Sequence, residues 1–160
     1  MKNFMKGMFT MKEMEERDNV ASIEKYLRKT DYIIRKKGRE ILSDFGITVP
    51  QFTALQILIN HENMTIGELS QDMALAFSTI TDLIDRMEKS ELVVRKKDEK
   101  DKRVVRVEVL PKGFDILEKV LDKRIDFLFH KLINFSDEDK YNLHIGIKSI
   151  YEAMKADSEE

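Results

Sequence analysis

The chain has 160 residues, a length that suits one domain or one lobe with a helical extension. Hydrophobic residues make up 42% and charged residues 36%, enough for a core beneath a heavily solvated surface, and the formal net charge is −2. No apolar run approaches the ~20 residues needed to span a bilayer, so an integral membrane protein is excluded, and zero cysteines exclude disulfides and thiolate chemistry. The N-terminal Met-Lys-Asn-Phe-Met-Lys-Gly-Met lacks the apolar core of a secretory signal, and a cytoplasmic location is expected.

Residues 1–19 are methionine-rich, show no sustained helical face, and read as a flexible N-terminal arm. From Val20 the apolar residues Ile23, Leu27, Thr30, Ile34, Ile41 and Phe45 recur at helical spacing, predicting a long helix that stops before Gly46. Pro50 suits the first turn of the next helix, 51–60, in which Phe52, Leu55, Ile57, Leu58 and Ile59 are expected to be largely buried. Residues 65–73 form a short amphipathic helix through Ile66, Leu69 and Met73. On a helical wheel of residues 78–89, Ile80, Leu83, Ile84 and Met87 share one narrow arc. Ser78, Asp82, Asp85 and Lys89 point the other way, with Thr79, Thr81 and Arg86 on the flanks. Two helices meeting at a tight turn, the second with a face of short hydroxyls and charges, point to a DNA-reading helix-turn-helix; plain helix packing would give the same arc.

The next segment separates these readings. Leu92-Val-Val94 and the alternation Val105, Val107, Val109 predict two half-buried strands. The loop 96–103 between them carries five cations: Lys96, Lys97, Lys100, Lys102 and Arg103. Residues 86–106 hold nine Lys/Arg against five Asp/Glu, a local charge of +4 in a chain of −2. A basic hairpin directly after a candidate recognition helix is the layout of a winged helix-turn-helix. Pro111 then opens a helix with Ile116, Leu117, Val120, Leu121, Ile125, Leu128, Phe129 and Leu132 on a broad apolar face. Ser136 to Asp139 resembles a capping box ahead of a last helix striped by Leu143, Ile147, Ile150 and Met154. Helices 20–46 and 111–156 carry more apolar surface than a small winged helix can cover, so they are read as a dimerisation region flanking a DNA-binding lobe, 47–110. Packing within one chain is the alternative. The expected fold class is mostly α with a small β-hairpin wing.

The stretches TIGELSQDM, STITDLIDRMEKSELVVRKKDEKDKR and VEVLPKG resemble the MarR family of bacterial winged helix-turn-helix transcriptional regulators. The likeness covers roughly residues 20–154 and is sharpest over 51–113, with Asp101-Lys102-Arg103 as its most specific piece. It implies a homodimer on double-stranded DNA, with Arg103 in the minor groove and Asp101 orienting the wing, while the charge of the loop itself would bring Lys96, Lys97, Lys100 and Lys102 near the DNA. It also implies tuning by a small ligand, a metal or oxidation. An aromatic effector would have Tyr32, Phe45, Phe52 and Phe114 as wall residues, each as easily plain core. Three positions depart from relatives within the recognition region. Ala76 stands at a capping position, Glu91 where glycine is common, and Asp82 where many have arginine, which leaves base preference open. Leu110 replaces the usual threonine before Pro111.

No phosphate-binding glycine loop, HExxH or nucleophile elbow is present, so no enzyme is expected. His61, His130 and His144 are scattered, and no metal or cofactor is expected. Met73, Met87 and Met154 read as core. The leading function is a sequence-specific transcriptional regulator, taken as a repressor released by an effector. A constitutive DNA-binding protein and a helical protein-interaction module are the alternatives.

Overall fold

A computed structural model describes residues 11–61 and 63–156. The chain divides into two units, Met1–Leu117 and Glu118–Glu160. Among the described residues, six helices and one hairpin follow in the order α1 (Met11–Asp44), α2 (Val49–Asn60), α3 (Ile66–Asp72), α4 (Phe77–Lys89), β1 (Val93–Lys97), β2 (Val105–Val109), α5 (Pro111–Leu132) and α6 (Asp137–Ala156).

Helix α1 begins at Met11, so residues 11–19 of the expected arm are helical, and residues 1–10 lie outside the described residues. The segment has no proline, and its surface is laced by exposed pairs one turn apart. Arg28 pairs with Glu24 at 2.9 Å and Arg35 with Asp31 at 2.8 Å, each adding a few tenths of a kcal/mol to an isolated helix. Residues 11–19 are exposed throughout, so no buried apolar face marks them, which is why hydrophobic periodicity starts the helix only at Val20. At the far end Gly46 adopts φ +65°, donating to the Ser43 carbonyl while Ile47 donates to that of Leu42. The residues flanking this stop, Leu42 and Ile47, are buried, as the Schellman arrangement favours.

The same stop closes α3 and α4 without glycine. Ala74 (φ +51°) and Leu75 donate to Gln71 and Ser70; Glu91 (φ +59°) and Leu92 donate to Glu88 and Met87. Helix starts are better supplied. Thr48 with Gln51, and Thr65 with Glu68, form reciprocal capping boxes on α2 and α3, whereas Ala76 gives α4 no side-chain cap. Ser136 accepts from the Asp139 N–H and donates to its carboxylate, so aspartate fills the glutamate place in this box.

The core of the first unit sits among α2, α3, α4 and the hairpin. Phe52, Ala54, Leu55, Leu58, Leu69, Val93 and Val107 are buried there with the α4 arc; Ile57 and Ile59 are only half-buried. The strands pair antiparallel in a register that sets Val93 opposite Val109 and Lys97 opposite Val105. The first strand therefore runs past the expected Val94 and includes Lys96 and Lys97; long stems on a two-stranded ribbon keep their ammonium groups in water. Gly113, in the first turn of α5, passes so close that a Cβ there would lie 2.5 Å from the Leu92 carbonyl and 2.7 Å from Val109. That explains the glycine in VLPKG.

In the second unit α6 has no buried residue, and Leu121, Ile125, Leu128, Phe129, Ile147 and Met154 are exposed. Met154 is thus not core in the single chain, Met73 is half-buried, and Met87 is fully buried as expected.

Candidate nucleic-acid interface

Helix α4 buries Ile80, Leu83, Ile84 and Met87, the arc the sequence predicted. Ser78, Thr79, Asp82, Arg86 and Lys89 are consequently exposed, with Thr81 half-buried at the margin. Arg86 donates its Nε to the Asp82 backbone carbonyl at 3.1 Å, one turn earlier. This bond leaves the Asp82 side chain outside it. Thr81 donates its hydroxyl to the Phe77 carbonyl at 2.9 Å, so that proton is engaged within the helix.

The hairpin is tied on both strands. From β1, the Arg95 guanidinium reaches Asp85 at 2.6 Å, Glu88, and the Thr81 carbonyl at 3.2 Å, while the Arg95 N–H donates to Glu88 at 2.7 Å. One side chain thus fixes the hairpin to three successive turns of α4. From β2, Arg106 donates to Asp98 at 2.5 Å and to the Asn63 carbonyl, and the Val107 N–H donates to the Met64 carbonyl at 2.8 Å. Asn63, at φ +62°, belongs to the α2–α3 connection, and Thr65 beside it bridges to Arg106.

Asp98 also organises the loop. Its Oδ1 accepts from the N–H groups of Lys100 and Asp101 at 2.8 and 3.0 Å. The Arg106 guanidinium, then those two N–H groups, hold its carboxyl far below the usual carboxylate range. Asp101 in turn accepts three bonds from Arg103: the N–H at 3.0 Å, Nε at 3.1 Å and Nη2 at 3.0 Å. The Arg103 pairing also lowers the Asp101 pKa. Arg103 is 91% exposed on this carboxylate, the most outlying of the paired wing cations. Lys96 pairs with Glu108 across the hairpin; Lys97, Lys100 and Lys102 are exposed.

The sequence reading missed Arg95, Glu88, Asp98, Arg106 and Asn63 as the parts that hold the wing. Asp98 ahead of Lys100 and Asp101 carries a local signal, since aspartate readily accepts from N–H groups two or three residues on. The Arg95 clamp carries none, because its partners lie seven to fourteen residues away and across an element boundary. The four proposed effector-wall residues are not alike. Phe52 is buried, Phe45 half-buried, Tyr32 exposed, and Phe114 lines a groove of about 250 Å³ with Leu58, Ile59, Asn63, Val107 and Glu108. Among the described residues no single helix is long and apolar enough to cross a membrane.

Residues 47–105 match the MarR family model. Over 138 residues the chain is 53% identical to the HTH-type transcriptional regulator YsmB of Bacillus subtilis (strain 168), covering 86% of this chain and 94% of that one. It is 33% identical over 119 residues to the organic hydroperoxide resistance transcriptional regulator of the same organism, covering 74% and 80%. Its fold superposes on a MarR family protein from Bacillus stearothermophilus with a TM-score of 0.78 and 43% identity, covering 87% and 97%. With its helix-turn-helix and braced basic hairpin, the chain belongs to the MarR family of DNA-binding transcriptional regulators, and not to a class of enzymes.

Proposed function

We propose that the protein is a homodimeric, sequence-specific repressor whose α4 enters the major groove while Arg103 enters the adjacent minor groove. The observation that carries this reading is the exposed polar face of α4 beside a basic hairpin clamped to it through Arg95. Ser78, Thr79, Thr81 and Arg86 would meet the backbone and base edges, and Asp82 would select a base. Lys89, Lys97, Lys100 and Lys102 would neutralise phosphates, with Lys96 held back by Glu108. Repression is the simplest output, since occupying a promoter excludes polymerase without any further activity.

Dimerisation is supported by the apolar residues that α1, α5 and α6 each leave in water, among them Ile23, Leu27, Leu121, Ile125, Phe129 and Ile147. Such exposure on a single chain is the mark of a surface that a second copy covers. Half-sites would then lie about 34–36 Å apart, one helical turn. An effector would enter the groove beside Phe114, where the polar groups Asn63 and Glu108 are already engaged by Arg106 and Lys96, leaving no unpaired cation in the lining. A neutral aromatic ligand suits that lining better than an aromatic acid. A constitutive binder is the second reading, favoured by the burial of Phe52 and the exposure of Tyr32, which do not share that groove.

Anisotropy titration of a random-sequence duplex pool at two salt concentrations, with light scattering on the same sample, tests the core of the reading. Salt-dependent binding by a dimer is expected. A monomer at micromolar concentration, or affinity indifferent to salt, would remove it. Thermal shift against neutral aromatic compounds separates ligand-released from constitutive binding, because a ligand of the folded state must raise the melting point.

A further inference from the structure

We propose that Phe77 reads the 5-methyl group of a thymine, an inference that rests on α4 docking in the major groove. Phe77 is the first residue of α4, preceded by the uncapped Ala76, and it is 59% exposed. N-terminal residues of a recognition helix are those that reach base edges. A large aromatic ring at that place is unexplained by packing, since the arc that holds α4 in the core is complete without it.

Its neighbours point to an apolar partner. Phe77 lines a groove of about 570 Å³ between the start of α4 and the hairpin, with Ile66, Val104 and Val105 as its apolar wall and the Asp85–Arg95 pair at its inner end. Thr81, one turn on, spends its hydroxyl proton on the Phe77 carbonyl and so offers the groove no donor. The ring thus makes an apolar spot at the start of α4, on the flank that faces the hairpin. Among the groups that base pairs display in the major groove, the thymine C5-methyl is the apolar one, and phenylalanine is among its recurrent partners.

The test uses the full-length protein and duplexes selected with it from a random library. Each thymine of a selected duplex is replaced singly by deoxyuracil, which removes the methyl and leaves pairing and the minor groove unchanged. Affinities are then measured for the wild type, Phe77→Ala and Phe77→Leu, with melting curves to confirm that the exposed position tolerates the change. Wild type should lose about four-fold at one thymine per half-site, the scale of burying one methyl group. Phe77→Ala should be indifferent to that replacement, and Phe77→Leu should retain part of the sensitivity. If the wild type selects a sequence yet ignores every deoxyuracil, or Phe77→Ala keeps the same sensitivity, thymine reading is overturned while α4 docking stands. Uniform weakening of Phe77→Ala on all duplexes would assign the ring to a sugar contact and equally overturn it. Failure of the wild type to bind any duplex would remove the docking itself, and this proposal with it.

Discussion

Glu91 is the residue whose replacement should stabilise the protein. It sits at φ +59° in the stop after α4, where its N–H donates to the Glu88 carbonyl and Leu92 donates to that of Met87. An L-residue in the left-handed region costs roughly 1–2 kcal/mol, because Cβ crowds the following carbonyl. Glycine relieves that strain but gives back roughly 0.5–1 kcal/mol through the freedom of its unfolded chain. The Glu91 side chain supplies little in compensation: it is 79% exposed, and its pair with Lys112 stretches to 3.8 Å. Glu91→Gly should therefore gain about 0.5–1 kcal/mol, and Glu91→Ala, which keeps the strain, should stay within about 0.5 kcal/mol of wild type. For a chain of this size the glycine gain corresponds to a melting-point rise of about 1–4 °C. Urea unfolding and thermal melts at one matched protein concentration measure both variants, since an oligomer's stability depends on concentration. A glycine variant no more stable than the alanine variant would refute the argument, showing that the φ at residue 91 is unstrained or relaxes.

Gly113→Ala should destabilise by about 1–3 kcal/mol, as overpacking does, because its Cβ meets the Leu92 carbonyl and Val109; a melt within a degree of wild type would contradict that close approach. Asp98 titrates below its ordinary value, so the stability it adds is complete above pH ~4, the unfolded aspartate pKa, and fades as pH falls further. Asp98→Asn should accordingly be weaker than wild type at neutral pH, and the difference should shrink in acid; a gap that stays constant down to pH 2 would count against it. Arg103→Ala should relax any A·T preference beneath the wing, whereas Lys102→Ala should weaken binding on all sequences and flatten the salt slope; identical behaviour on a sequence library would deny them separate roles. Asp82→Ala should raise non-specific affinity while losing ~1–3 kcal/mol of discrimination at one base pair per half-site, and an unchanged sequence preference would rule Asp82 out as a reader.

The elements that pack were legible, and the elements that pair were not. Ile80, Leu83, Ile84 and Met87 were readable because burial enforces a period that any helix must show. The hairpin was readable for the same reason at Val105, Val107 and Val109, but its first strand was cut short at Val94. Lys96 and Lys97 look like loop residues, and what places them in the strand is register with Arg106 and Val105. The start of α1 was missed because residues 11–19 are helical yet exposed throughout, so no buried apolar stripe marks them in the sequence. At the interface, the exposed face of α4 followed directly from its buried one. Arg95 was counted only as one cation among nine, because its role depends on Asp85, Glu88 and Thr81 arriving from another element. Phe77 was overlooked because exposure of an aromatic side chain becomes visible only when its neighbours are in place.

The double bracing of the hairpin bears on the heat of association. A wing that orders only on contact would bury its own surface during binding, and calorimetry would record that folding as an enlarged negative heat-capacity change. Here Arg95 holds one strand to α4, and Arg106 with Asp98 holds the other to the Asn63 connection, before any duplex arrives. The hairpin's share of the ordering cost is met within the free protein, so the heat-capacity change should reflect only the surface joined to DNA. Measured at several temperatures, that slope should steepen in Asp98→Asn, whose loop would have to be organised by the phosphates themselves.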